Sequence, residues 1–192
     1  MGWDGFLRLV ESRWSGVGKL KRSGSGFSTA KPAAAPNHQV TKSSADHAAK
    51  GQQAVALINQ GKLQEAETIY RDLIAAGTTN HIVYGNLAAI CGMRERFDEL
   101  IHLLNKALEY KPNYPSAHYN LGIALQEQGG LNAAIASYNK ALELKPNYPA
   151  AHYNLGIALQ EQGDLTAAIA SYNKALELKP NYPEAHLSLI HI

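Results

Sequence analysis

The sequence predicts an all-α fold, a solenoid of antiparallel helix pairs. Residues 115–148 and 149–182 are near copies offset by 34 residues, differing only at Ser116/Ala150, Gly130/Asp164 and Asn132/Thr166. Within each copy the apolar residues recur at helical spacing, one face per helix. Pro and Gly fall where helices start and stop. Neither helix of such a unit can bury its stripe alone, but stacked neighbours can.

Residues 149–182 show how one unit is built. Pro149 suits a first helical position, where its missing N–H is no loss. His152, Leu155, Gly156 and Leu159 then form one face at i, i+3, i+4 and i+7. Gly163 can adopt the left-handed conformation that ends the helix, and Asp164 can cap the next. Gly130 takes that place one unit earlier and is the weaker cap. The second helix carries Ala168, Ile169, Tyr172, Ala175 and Leu176 on one face, and Pro180 stops it. The small residues Gly156, Ala168 and Ala175 fall where two helices must approach closely.

Stepping back by the same interval gives a diverged unit at 81–114, in which Asn86-Leu87 matches Asn120-Leu121. A further step gives 47–80, where Gly61, Leu63, Ala66 and Tyr70 hold register. The expectation is four units (47–80, 81–114, 115–148 and 149–182) and a fifth opening at Pro183.

Upstream, residues 15–46 are rich in Gly, Ser, Pro and Lys and read as a flexible linker, unable to bury enough apolar surface to offset ordering. In residues 1–14, Trp3, Phe6, Leu7, Val10 and Trp14 fall at helical spacing. This stretch is either a short amphipathic docking or membrane-surface helix, a helix too short to persist alone, or the product of a misassigned start. Downstream, Leu187-Ser188-Leu189-Ile190-His191-Ile192 replaces the expected repeat wording. CTG TCT CTT ATA CAC ATC, the start of a transposase adapter used in DNA library preparation, encodes these six residues. The expectation is adapter read-through and a longer natural chain, with repeat decay as the alternative. A clean genomic read encoding the same end and a stop would remove the first reading.

Bulk properties narrow the function classes. The net charge of +2 divides into +4 over residues 1–46 (seven basic, three acidic) and −2 over 47–192 (eleven basic, thirteen acidic). That is too weak to argue for nucleic acid. Cys91 is the single cysteine, so no intramolecular disulfide can form; it falls on a packing position and reads as core. No run is long and apolar enough for a membrane span, and no secretory signal is visible; cytoplasmic is the default expectation. No phosphate loop, His-Glu-x-x-His helix, nucleophile elbow or Cys-x-x-Cys pair is present. The Gly-rich stretch 23–26 lacks the strand and helix that a phosphate loop needs. No catalytic residue, metal or cofactor is therefore expected. His118, His152 and His186 recur at the repeat period but stand too far apart, about 10 Å or more, to share an ion. They read as packing residues.

The unit resembles the tetratricopeptide repeat, whose pattern is Trp-x2-Leu-Gly-x2-Tyr…Ala-x3-Phe…Pro. This chain reads His118-x2-Leu121-Gly122-x2-Leu125…Ala134-x3-Tyr138…Pro146, and likewise from His152 to Pro180. His replaces Trp and Leu replaces Tyr. The match covers residues 47–182 and is weakest in the first unit, with Gln53 and Ala54 where Leu-Gly is expected. The wording is similar to bacterial arrays, cyanobacterial ones included, some of which precede a transferase domain.

The resemblance implies a right-handed superhelix whose first helices line a concave groove for a peptide. Asn86, Asn120 and Asn154 hold one place in those helices, similar to the asparagine ladder of O-linked N-acetylglucosamine transferases. An Asn offers two donors and an acceptor and can grip a peptide backbone without reading its side chains. The alternative is that Asn is merely frequent there. Tyr119 and Tyr153 precede two of these Asn, and Gln126, Glu127, Gln160 and Glu161 lie further along; they are either peptide contacts or a solvated face. Some relatives clamp an acidic tail with Lys and Arg at positions that here hold Tyr119, Ile123, Tyr153 and Ile157, so no carboxylate clamp is expected. The expected function is a peptide- or protein-binding scaffold. The alternatives are a substrate-recognition arm of a glycosyltransferase- or sulfotransferase-type enzyme, and end-to-end self-association.

Overall fold

The computed structural model describes residues 38–192. The amphipathic stretch 1–14 and most of the linker expected at 15–46 lie outside the described residues. Those described contain nine helices and no strand. They fall into two compact units, divided between Thr79 and Asn80.

The first unit is a helical hairpin, α1 (His38–Asn59) and α2 (Leu63–Ala75). Helix α1 starts upstream of the expected first repeat, inside the linker drawn to residue 46. After Pro36 no Pro or Gly interrupts the chain until Gly51, so nothing there opposes helix. Ala54, Ala66, Tyr70 and Leu73 form the buried side of the hairpin. The buried Glu67 carboxylate accepts from Arg71 at 2.9 Å, one turn along α2.

The second unit holds α3 (His81–Met93), α4 (Phe97–Tyr110), α5 (Pro115–Glu127), α6 (Leu131–Leu144), α7 (Pro149–Gln162), α8 (Leu165–Leu178) and α9 (Pro183–Ile190). Turns of a few residues join the helices, so consecutive ones pack antiparallel. Pro115, Pro149 and Pro183 each sit in the first turn of their helix. Gly163 takes φ +94° at the end of α7, as its place in the sequence requires. The Asp164 side chain then accepts from the Ala167 N–H at 3.0 Å, whereas Gly130 offers α6 no side-chain cap.

In the pairs α5/α6 and α7/α8 the first helix presses its glycine against a tyrosine of the second. A Cβ on Gly122 would stand 2.5 Å from Tyr138 Cε1, and one on Gly156 2.6 Å from Tyr172 Cε1. Tyr138 and Tyr172 are fully buried, as are Ala134, Ala141, Ala168 and Ala175 beside them. Successive pairs then share one core: Tyr119, Ile123, Tyr138 and Ala141 pack with Tyr148, Ala151, Leu155 and Ala158 of the next. Cys91 is buried in α3. No described helix is long and apolar enough to cross a membrane.

Candidate functional site

Most of the residues singled out in the first helices do not stand in solvent. Asn86, Asn120 and Asn154 are only 8%, 2% and 3% exposed, and Tyr119 only 1%. Tyr153, Gln126 and Gln160 are half-buried, and Glu127 and Glu161 are exposed. The structure brings most of them together as a network within and between repeats.

The network begins with stacked tyrosines. Tyr119 lies between Tyr138 of its own repeat (centroids 6.1 Å apart) and Tyr148, which precedes the next repeat's first helix (4.9 Å). Tyr153 repeats the arrangement with Tyr172 and Tyr182, at 5.8 and 5.0 Å. Tilted rings at these separations gain attraction beyond the area they bury. Lys145 Nζ lies 4.3 Å from the Tyr148 centroid and Lys179 Nζ 4.2 Å from that of Tyr182, which is cation–π range. Burial raises the phenol pKa of Tyr148, with Tyr114 nearby adding to the shift. The Tyr148 ring therefore remains neutral at physiological pH.

Hydrogen bonds tie the polar members to the rings. Tyr138 donates to Gln126 Oε1 at 2.9 Å, and Tyr172 to Gln160 Oε1 at 2.8 Å. Gln126 Nε2 then donates to Glu161 across the repeat boundary at 2.8 Å. Asn154 Nδ2 donates to the Tyr119 hydroxyl of the preceding repeat at 2.9 Å. The side chains expected to grip a ligand thus also set the spacing of one repeat on the next.

The same places in 81–114 are filled differently. Gly85 stands where Tyr119 and Tyr153 stand, and Gly92 where Gln126 and Gln160 stand. With no ring at residue 85, Tyr114 leans in; its hydroxyl comes within 3.3 Å of where a Gly85 Cβ would be. It also meets the His81 ring edge-on, 5.0 Å between centroids. Asn120, one repeat further on, has no tyrosine to receive its amide. Its Oδ1 is buried without a hydrogen-bond partner.

The repeating histidines do more than replace a tryptophan. The Nε2 of His118, His152 and His186 donates to the carbonyl of Pro112, Pro146 and Pro180, at 2.9, 3.0 and 3.0 Å. Each ring therefore fastens the turn that leads into its own helix. The sequence signal was available: a His three residues after Pro, in every unit that carries Lys-Pro-Asn-Tyr-Pro. Burial lowers the His152 pKa, partly offset by the bond to Pro146. Among the described residues no three His, Cys, Asp or Glu side chains cluster as metal ligands. A separate open groove of about 600 Å³ lies on another face, lined by Asn139, Glu143, His152 and Lys174 among others.

Comparison with known proteins agrees with this architecture. Family models described as Tetratricopeptide repeat and TPR repeat match residues 119–183 and 94–129. The chain is 33% identical over 83 residues to the Hsp70-Hsp90 organizing protein of Triticum aestivum, and 34% identical over 67 residues to the small glutamine-rich tetratricopeptide repeat-containing protein of Dictyostelium discoideum. These alignments cover 43% and 35% of this chain but only 14% and 20% of the relatives. Among solved structures, MamA superposes with a TM-score of 0.67 at 23% identity, covering 74% of this chain and 84% of that one. YrrB, described as a TPR protein with an unusual peptide-binding site, gives 0.68 at 21%, covering 76% and 75%. The first TPR of Spaghetti (RPAP3) bound to the HSP90 peptide SRMEEVD gives 0.58 at 25%, covering 58% and 89%. The 34-residue unit, its Gly–Tyr helix crossing and these matches agree: the chain carries tetratricopeptide repeats.

Proposed function

We propose that the chain is a scaffold that holds an extended segment of a partner protein along the face carrying Asn120, Tyr153 and Glu161. The observation that carries this reading is the row of first helices in register, with amide and phenol groups recurring at one place in α5 and α7. Backbone recognition suits Asn, and tyrosine gives contact area with few torsions to freeze. The relative bound to SRMEEVD supports a peptide ligand. The positions read as clamp sites here hold Tyr119, Ile123, Tyr153 and Ile157, with no cation among them. The ligand is therefore not an acidic tail.

The test is selection from a random-sequence peptide display library on the intact chain, followed by calorimetry of the enriched peptides, with SRMEEVD as a comparison. The reading expects enriched peptides that bind one per chain at micromolar Kd or tighter, and SRMEEVD weaker by tenfold or more. Failure to enrich any binder would refute the scaffold reading, and preference for SRMEEVD would refute the ligand class.

A further inference from the structure

Helix α3 differs from its successors along one face. Ile82, Gly85, Ala89 and Gly92 recur at i, i+3, i+7 and i+10 and share that face. At the same places α5 carries Ser116, Tyr119, Ile123 and Gln126, and α7 carries Ala150, Tyr153, Ile157 and Gln160. At these four places α3 therefore has no polar side chain and, beyond the exposed Ile82, none larger than a methyl. Ten consecutive residues of α3, Val83 to Gly92, are buried. By contrast α5, also flanked in the chain by a helix pair on either side, leaves Leu121, Leu125 and Gln126 half-buried. A helix without Lys, Arg, Asp or Glu and buried all round needs apolar cover on every side. Charge is placed beyond this face. Helices α3, α5 and α7 contain no Lys or Arg, while Glu127 and Glu161 stand exposed near the ends of α5 and α7. The cover that fits is amphipathic, with bulky apolar groups and a basic side.

The chain contains such a sequence. In residues 1–14, outside the described residues, Trp3, Phe6, Leu7, Val10 and Trp14 recur at i, i+3, i+4, i+7 and i+11. That is the anchor spacing of a helix laid in a groove. Arg8 and Arg13 are interspersed, and residues 1–46 carry +4 against −2 for residues 47–192. Residues 15–37 follow, rich in Gly and Ser, and a chain of that composition and length spans about 25 Å, more than two helix diameters. We propose that residues 1–14 dock as an amphipathic helix on the α3 end of the peptide face, with the Trp3–Trp14 stripe over Gly85, Ala89 and Gly92 and the arginines toward Glu127 and Glu161. The small residues let indole and phenyl rings approach the α3 backbone. The segment then holds part of the face that a partner needs at Glu161, and a partner binds by displacing it. The proposal rests on the peptide-face reading for the role of that face, but its first test does not.

Trp3 and Trp14 are the two tryptophans of the chain, so indole fluorescence of the intact protein reports on this segment alone. Its emission is expected to be blue-shifted from that of a synthetic peptide of residues 1–14, with acrylamide quenching reduced several-fold. E127K/E161K and R8E/R13E should each move both signals toward the free peptide, and the four substitutions together should restore them. A89R should release both indoles, with urea unfolding reporting that the repeats remain folded. Wild-type emission equal to that of the free peptide, or a blue shift unmoved by E127K/E161K and A89R alike, overturns the docking while leaving the scaffold reading intact. A blue shift lost on dilution places the segment on a second copy and overturns the intramolecular assignment. Peptides enriched from the random-sequence library should bind W3A/F6A/W14A about fivefold more tightly than wild type, as expected when the face is free about one-fifth of the time. Equal affinity would overturn the overlap with the partner's site.

Discussion

Single atoms decide how tightly the repeats close. A methyl on Gly122 or Gly156 would enter a fully buried tyrosine ring. G122A and G156A should each cost about 1–3 kcal/mol, the usual penalty for overpacking, measured by urea unfolding. The sequence allowed this reading, because a glycine on an apolar helix face has few other uses. It did not allow the burial of Tyr119 and the ladder asparagines. Tyr and Asn on an amphipathic helix look like a wet face, and the cover of Tyr119 comes from Tyr148, 29 residues onward, through a contact no single helix specifies. N154A removes a buried inter-repeat donor and should cost about 1 kcal/mol. N120A deletes an already unpartnered carbonyl and should cost less; thermal melts of the two variants side by side check the order.

His152 makes a pH prediction at the same scale. Its folded pKa lies below the ordinary histidine value of 6.5 because burial disfavours the imidazolium. As pH falls through about 6.5, the unfolded chain takes up the proton before the folded one does. Stability is thus retained above that pH and lost on acidification until the folded value is passed. H152Q keeps a donor for the Pro146 carbonyl but cannot titrate. Its melting temperature should fall less than that of wild type between about pH 7 and about pH 5; equal falls would refute the assignment.

For the helices, caps matter most, and they were largely legible. Proline at a helix start, glycine in the left-handed region at its end and aspartate at the next start each have a local mechanism that needs no tertiary contact. The paired repeats also contain their own control. Asp164 caps α8, while Gly130, with nearly the same backbone angles, leaves α6 without a side-chain cap. D164A should cost about 1 kcal/mol, and G130D should add a few tenths, both read from denaturant midpoints. The start of α1 was not legible. Residues 38–46 lack an apolar stripe to announce a helix, but equally lack the Pro and Gly that would forbid one.

Across the whole chain, periodicity was the strongest sequence signal, because a repeat fixes neighbour contacts as well as local ones. Helix pairs recur at the expected interval, and the all-α fold follows from that alone. The binding face was only partly visible. Its residue places follow from the repeat, but which of them the fold itself consumes depends on contacts between repeats. Gly85 was visible in the sequence, and its consequence for Asn120 became apparent only beside Tyr119 and Asn154.

The most direct measurement is amide and side-chain NMR of the isotope-labelled chain, titrated with a peptide enriched from the random library. The account predicts that the largest shifts fall on the Asn120 side-chain amide, Tyr153 and Glu161. Shifts concentrated instead on Asn139, Glu143 and Lys174, which line the separate open groove, would contradict it.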